Sequence, residues 1–149
     1  MRIDVPQLRT ALGQYLGFAR QTEDLRLGAR PVRDVAVLQT FASMAFNASL
    51  ASPLVLGAEE VLIRSGFAWE TVFGDNLSPL GGCGALVLAG QSHLSDDECR
   101  AICDFARRGG GLVLSGDNGQ YDEHGRRRSQ NPLDDLAGPQ VVRLEPSLV

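Results

Sequence analysis

Lysine is absent from this chain; all 14 basic residues are arginine. We read that absence as coding bias rather than mechanism. The arginines face 18 acidic residues, for a net charge of −4 and a pI of about 5.1. A phosphate track needs a basic stripe, and this balance excludes general nucleic-acid binding. Cysteine is scarce: Cys83, Cys99 and Cys103 make an odd count without the spacing of a disulfide framework, which points to a reducing, cytoplasmic setting. With two histidines beside those thiols, no metal and no cofactor are expected. No apolar run approaches the roughly 20 residues that cross a bilayer, and Met1-Arg2-Ile3-Asp4 opens no signal core, so neither a membrane nor export is expected. Phosphate-binding and nucleophile motifs are missing too. Gly109-Gly110-Gly111 precedes its strand, Gly116-x-x-Gly119 falls short of the dinucleotide fingerprint, and there is no Gly-x-Ser-x-Gly.

What is present reads as an α/β domain. At 149 residues, 44% hydrophobic and 21% charged, the chain can bury about two-thirds of its unfolded surface. Residues 1–31 are expected to form an arm: an amphipathic helix from Val5 to Arg20, capped by Asp4, with Leu8, Leu12, Tyr15, Leu16 and Ala19 on one stripe, then a polar linker from Gln21 to Pro31. Residues 32–149 alternate. Asp34–Gln39 is a short apolar strand, and Ser52 caps a helix that begins at Pro53 and stops at Gly66. Ala68–Phe73 and Gly84–Gly90 are the next strands.

The following helix carries the strongest local signal. Ser95 and Glu98 form a capping box, Leu94 staples onto Cys99, and Cys99, Ile102, Cys103 and Ala106 make an apolar stripe that ends at Gly109. Leu112–Leu114 is a fourth strand. A polar loop, a helical turn around Pro132 to Leu136 and a last strand, Gln140–Leu144, complete the reading. Short hydrophobic strands separated by helices imply a flavodoxin-like (Rossmann-like), doubly wound, mostly parallel sheet. Ligands in such sheets sit outside the carboxyl ends of the strands: Gln39–Phe41, Gly74-Asp75, Gly90–His93 and Ser115–Asn118.

From about Val35 to Gly138 the chain resembles the class I glutamine amidotransferase-like domains attached to bacterial glycoside hydrolases, with the β-galactosidase trimerisation domain as the best-described relative. The resemblance rests on Val35–Gln39, Leu86–Gly90, Leu94–Glu98, Phe105–Val113 and Tyr121–Arg128. It implies a flavodoxin-like fold and a place within an oligomer or beside a carbohydrate-active barrel. Active amidotransferases carry a cysteine in a sharp strand-to-helix turn. If the fourth strand is the elbow strand, Ser115–Gly119 occupies that turn and holds no cysteine.

The polar residues at the strand exits are then the candidate ligand-binding set: Gln91, His93, Asp117, Asn118, Tyr121, Asp122 and Arg128. Carboxylates accept from sugar hydroxyls, and arginine donates in a fork. The structural alternative is that Asp117 and Asn118 make the turn and that Asp122 pairs with Arg126 or Arg128. Cys83, between two glycines, precedes its strand and lies away from the crevice; Cys99 and Cys103 sit on an apolar helix face. No catalytic residue is assigned. Two functions are expected: a non-catalytic module for oligomerisation or carbohydrate contact, partnered by a second copy or a glycoside hydrolase catalytic domain, or a hydrolase using Asp117 or Asp122 with His93.

Overall fold

A computed structural model describes residues 6–29, 32–134 and 136. The chain divides into two compact units, Met1–Pro31 and Val32–Val149. In the first, helix α1 (Pro6–Gln21) is followed by a short helix α2 (Glu23–Arg26), where the sequence suggested only linker. Thr22 stops α1 by turning its hydroxyl back onto the Phe18 carbonyl at 2.9 Å, and Glu23 and Asp24 then favour a new helix start. No residue of α1 is buried, so its apolar stripe stays uncovered within this unit. The Asp4 cap lies outside the described residues.

The second unit is a four-stranded, all-parallel sheet in the order β2-β1-β3-β4, where β1 is Val35–Gln39, β2 Trp69–Phe73, β3 Ala85–Ala89 and β4 Gly111–Ser115. This is the doubly wound, flavodoxin-like order. The central strand β1 is apolar from Val35 to Leu38, where both of its faces are covered. Val35, Val37, Val87 and Ala89 pack with Val55 of helix α3 (Phe41–Arg64). Ala36, Leu38, Leu86 and Leu88 pack with Cys99, Ile102 and Phe105 of helix α4 (Asp96–Arg107).

Helix α3 starts earlier than the sequence suggested, capped by Thr40 rather than Ser52. Asn47 breaks its helical dihedrals (φ −143°, ψ 37°), so the element is two segments, and Pro53 falls early in the second, where its missing N–H costs one bond. By length and composition α3 is apolar enough to cross a membrane, contrary to the expectation that no segment approaches that; of its residues Ser43, Ala51 and Val55 are buried, Val55 packing with the sheet.

Helix α4 keeps its capping box, with Glu98 N–H donating to Ser95 Oγ at 3.2 Å and Ser95 N–H to Glu98 Oε2 at 2.6 Å. Leu94 joins Cys99 in the core, as the staple requires. Gly109, at φ +93°, closes the helix in a Schellman motif: Gly110 N–H reaches Phe105 O and Gly109 N–H reaches Ala106 O. Phe105, rather than Ala106, is the stripe's buried fourth member. Beyond β4, where a helical turn was expected around Pro132 to Leu136, Asp134 N–H donates to Asn131 O and Leu136 N–H to Leu133 O in single turns. The Gln140–Leu144 strand lies outside the described residues.

Candidate functional site

The exits of β1, β3 and β4 meet in a layer of buried polar side chains. Gln91, fully buried after β3, is its hub. Its Oε1 accepts from Thr40 N–H at 2.9 Å, its Nε2 donates to Ala89 O at 3.0 Å, and its own N–H donates to Asn118 Oδ1 at 2.8 Å. Asn118 returns two bonds to the turn after β4, donating to Ser115 O and Gly116 O at 3.1 Å. Ser43 Oγ, buried at the start of α3, accepts from His93 N–H at 3.0 Å. Each buried polar atom named here has its partner, which is what burial demands.

His93 lies in the same layer with both ring faces covered, by Phe46 at 5.1 Å and by Tyr121 at 4.7 Å between centroids. Its Nδ1 is 2.9 Å from Ser92 Oγ, which also accepts from Asn47 Nδ2 at 3.2 Å. The kink in α3 thus lies at the residue that anchors this serine. Burial holds the imidazole below its ordinary pKa, opposed by the Asp122 carboxylate. The backbone adds to the join, with Tyr121 N–H on Ser92 O and Leu94 N–H on Tyr121 O.

The remaining candidates separate. Asp122 Oδ1 accepts from the N–H groups of Arg126 and His124 at 2.8 and 2.9 Å, and these bonds, the one from Arg126 foremost, hold its carboxyl below the usual range. It fastens the loop through backbone amides rather than through an arginine side chain. Arg128 reaches back to α4, donating to Asp96 at 2.5 Å and to Leu94 O at 2.8 Å. Asp117 alone projects from the turn, exposed. The structure therefore brings Gln91, His93, Asn118 and Tyr121 together as a packed layer and leaves Asp117, Asp122 and Arg128 outside it.

An open cavity lies beside that layer, at the exits of β1 and β2. It measures about 770 Å³ and is lined in part by Phe41, Phe73, Asp75, Glu98 and Glu123. Phe41 is 88% exposed and Phe73 56%, so two aromatic rings stand free at its walls. No arginine or histidine lines it. Glu98 enters because its capping-box geometry turns the carboxylate toward Gly74: a Cβ there would lie 1.7 Å from Glu98 Oε1. Sequence reasoning named the Gln39–Phe41 and Gly74-Asp75 exits but placed its candidates at the other two strands. The switch of direction, where such folds open a crevice, falls between β1 and β3, at the sealed layer, so topology gave no pointer to a cavity over β1 and β2.

The thiols stand apart from both regions. Cys83 lies at the amino ends of the strands, beside Gly84 whose N–H donates to Asp34 O, and burial raises its pKa. Burial pushes Cys99 up to about 11. Neither is activated as a nucleophile must be. Nor does β4 behave as an elbow strand: among the described residues it is an edge of the sheet, and its exit leads into turns rather than straight into a helix. Among the described residues no group of three or more His, Cys, Asp or Glu could hold a metal ion.

No protein-family model matches the chain, and comparison with curated proteins finds no match. Solved structures do match, among them two β-galactosidases. A β-galactosidase from Bifidobacterium adolescentis aligns at TM-score 0.58 and 22% identity, over 64% of this chain and 45% of that one. Gan42B, a GH42 β-galactosidase, aligns at TM-score 0.62 and 16% identity, over 86% of this chain and 19% of that one. The chain thus spans less than half the length of either structure, and at these identities the likeness is one of fold: an all-parallel α/β unit also found within two β-galactosidase chains.

Proposed function

We propose that this chain is a non-catalytic, amidotransferase-like domain that serves assembly in a glycoside hydrolase system. One observation carries the reading. The strand exits where such a fold would hold its nucleophile contain no thiol and are filled by the Gln91–Asn118–His93 layer, whose polar groups are spent on one another. The likeness to segments of β-galactosidase structures supports the setting, and the uncovered apolar stripe of α1 supports a partner. The partner is a second copy or a hydrolase catalytic domain.

The purified chain is expected to hydrolyse neither glutamine nor aryl glycosides, and to co-purify with a glycoside hydrolase or run above 16.0 kDa in solution. Turnover of either substrate, lost on changing a residue of the strand exits, would refute it. A hydrolase centred on His93 with Asp117 or Asp122 as base has less behind it. His93 is buried and stacked on both faces, Asp122 is engaged by turn amides, and Asp117 lines a different hollow with Asn131 and Asp134.

Carbohydrate contact is a second reading, favoured by the cavity at the β1 and β2 exits. Free aromatic rings pack against the apolar faces of sugar rings, and carboxylates accept from hydroxyls. Titration with galactose and lactose followed by NMR should shift signals from Phe41, Phe73 and Asp75, and Phe73→Ala should weaken the effect. Saturating sugar that moves none of them would remove this reading and leave assembly standing.

A further inference from the structure

Among the described residues the sheet ends on two strands of unlike character. On β2, Glu70 is ion-paired with Arg33 and Thr71 donates to Glu59 at 2.9 Å. Charges of that kind are how natural sheets discourage edge-to-edge pairing. The opposite edge, β4, reads Gly111-Leu112-Val113-Leu114-Ser115, with no charge and no proline. Val113 is 53% exposed and Leu114 40%.

The hydrogen bonds show which backbone groups face outward. Gly111 N–H donates to Gly84 O at 2.9 Å, and Ser115 O accepts from Gly90 N–H at 2.8 Å. Backbone direction alternates along a strand, so residues 111, 113 and 115 bond inward to β3. The N–H and C=O groups of Leu112 and Leu114 point away from it. The one strand paired with β4 among the described residues is β3.

We propose that this edge seats a second copy of the chain, β4 pairing antiparallel with β4 about a two-fold axis through Val113. The inference deepens the assembly reading and rests on it. Two observations select the register. Leu112 meets Leu114 of the second copy, so the four outward groups on each side find partners in four hydrogen bonds. Val113 meets Val113, stacking an exposed β-branched pair. A parallel addition would leave an edge free again, whereas the two-fold arrangement closes.

The test uses the full chain. Light scattering up to about 1 mM, because a contact this small lies at the weak end of interfaces, should show a mass rising toward twice 16.0 kDa. Val113→Glu and Val113→Arg should each return it to 16.0 kDa, and an equimolar mixture of the two should restore the doubled mass, because the axis sets these side chains face to face. Hydrogen exchange gives a second readout on the unaltered chain: the Leu112 and Leu114 amides should be protected at high concentration and lose that protection on dilution. A doubled mass that survives either substitution overturns the β4 assignment while leaving assembly intact. A 16.0 kDa chain with both amides protected at every dilution overturns it as well, since the chain's own residues 137–149 or another segment then cover the edge. A 16.0 kDa chain with both amides unprotected also overturns it, and assembly then rests on co-purification with a hydrolase.

Discussion

The carboxyl edge of this sheet holds two regions built from similar residue types with opposite outcomes. At the β1, β3 and β4 exits, amides, hydroxyls and an imidazole turn inward and satisfy one another. At the β1 and β2 exits, a few ångströms along the same edge, carboxylates and phenyl rings surround an open cavity of about 770 Å³. The difference lies in side-chain length and in what the helices cover. Thr40, Ser43 and Gln91 bond to one another and to neighbouring backbone beside α3, whereas Phe41 and Phe73 are exposed. Polar residues at a strand exit therefore indicate function only when their bonds are unspent.

The most severe way to break this comparison is to remove the hub. Gln91→Ala takes the acceptor from the buried Thr40 N–H and leaves a hole under α3. It should cost about 3 kcal/mol, combining an orphaned donor with a cavity. Urea denaturation followed by circular dichroism measures it. A loss below about 0.5 kcal/mol, the ordinary surface level, would mean the layer is not the sealed structure described here.

The fold was legible from the sequence and the site was only half so, for physical reasons. Strand β1 and helix α4 are local: a run of branched apolar residues and a complete capping box need no knowledge of the rest of the chain. The start of α3 was hidden because Pro53 and Ser52 imitate a helix start, while the true cap, Thr40, owes its position to a tertiary bond from Gln91. Among the candidate residues, composition could not distinguish Asn118, which is buried, from Asp117, which is exposed one position earlier. Phe41 and Phe73 read as core by residue type, and only the absence of a covering helix makes them surface.

On the open side, the sharpest probe is Gly74→Ala. The new methyl would take the space of Glu98 Oε1, displacing the carboxylate that accepts from Ser95 N–H. Half the capping box would go, costing about 1 kcal/mol. Because the loss acts through Glu98, adding Glu98→Ala to Gly74→Ala should cost less than the two separate effects combined, a non-additivity that a double-mutant cycle reads directly. Simple additivity would mean that the glycine matters for its own backbone and not for the carboxylate packed on it.

The buried imidazole gives the sealed region a pH signature. His93 is held below its ordinary value of 6.5 by burial, so the unfolded chain takes up its proton first as pH falls. Stability from this group is whole above pH 6.5, declines below it, and levels off once the folded state is protonated too. Asp122, whose carboxyl lies below 3.8, adds a separate loss at more acid pH. His93→Phe keeps a ring between Phe46 and Tyr121 and should flatten the first decline while sparing the second. An unchanged profile would mean that the decline does not come from His93.

The smallest expected effect comes from Asp117, and it makes the comparison at the level of two adjacent residues. Asn118→Ala removes three hydrogen bonds, one accepted from Gln91 N–H and two donated to Ser115 O and Gly116 O, and should cost about 2 kcal/mol as these partners lose their bonds. Asp117→Ala removes an exposed carboxylate and should shift stability by no more than about 0.5 kcal/mol. Equal destabilisation by both substitutions would erase the distinction between sealed and open positions, because Asp117 would then be part of the layer it is seen to leave.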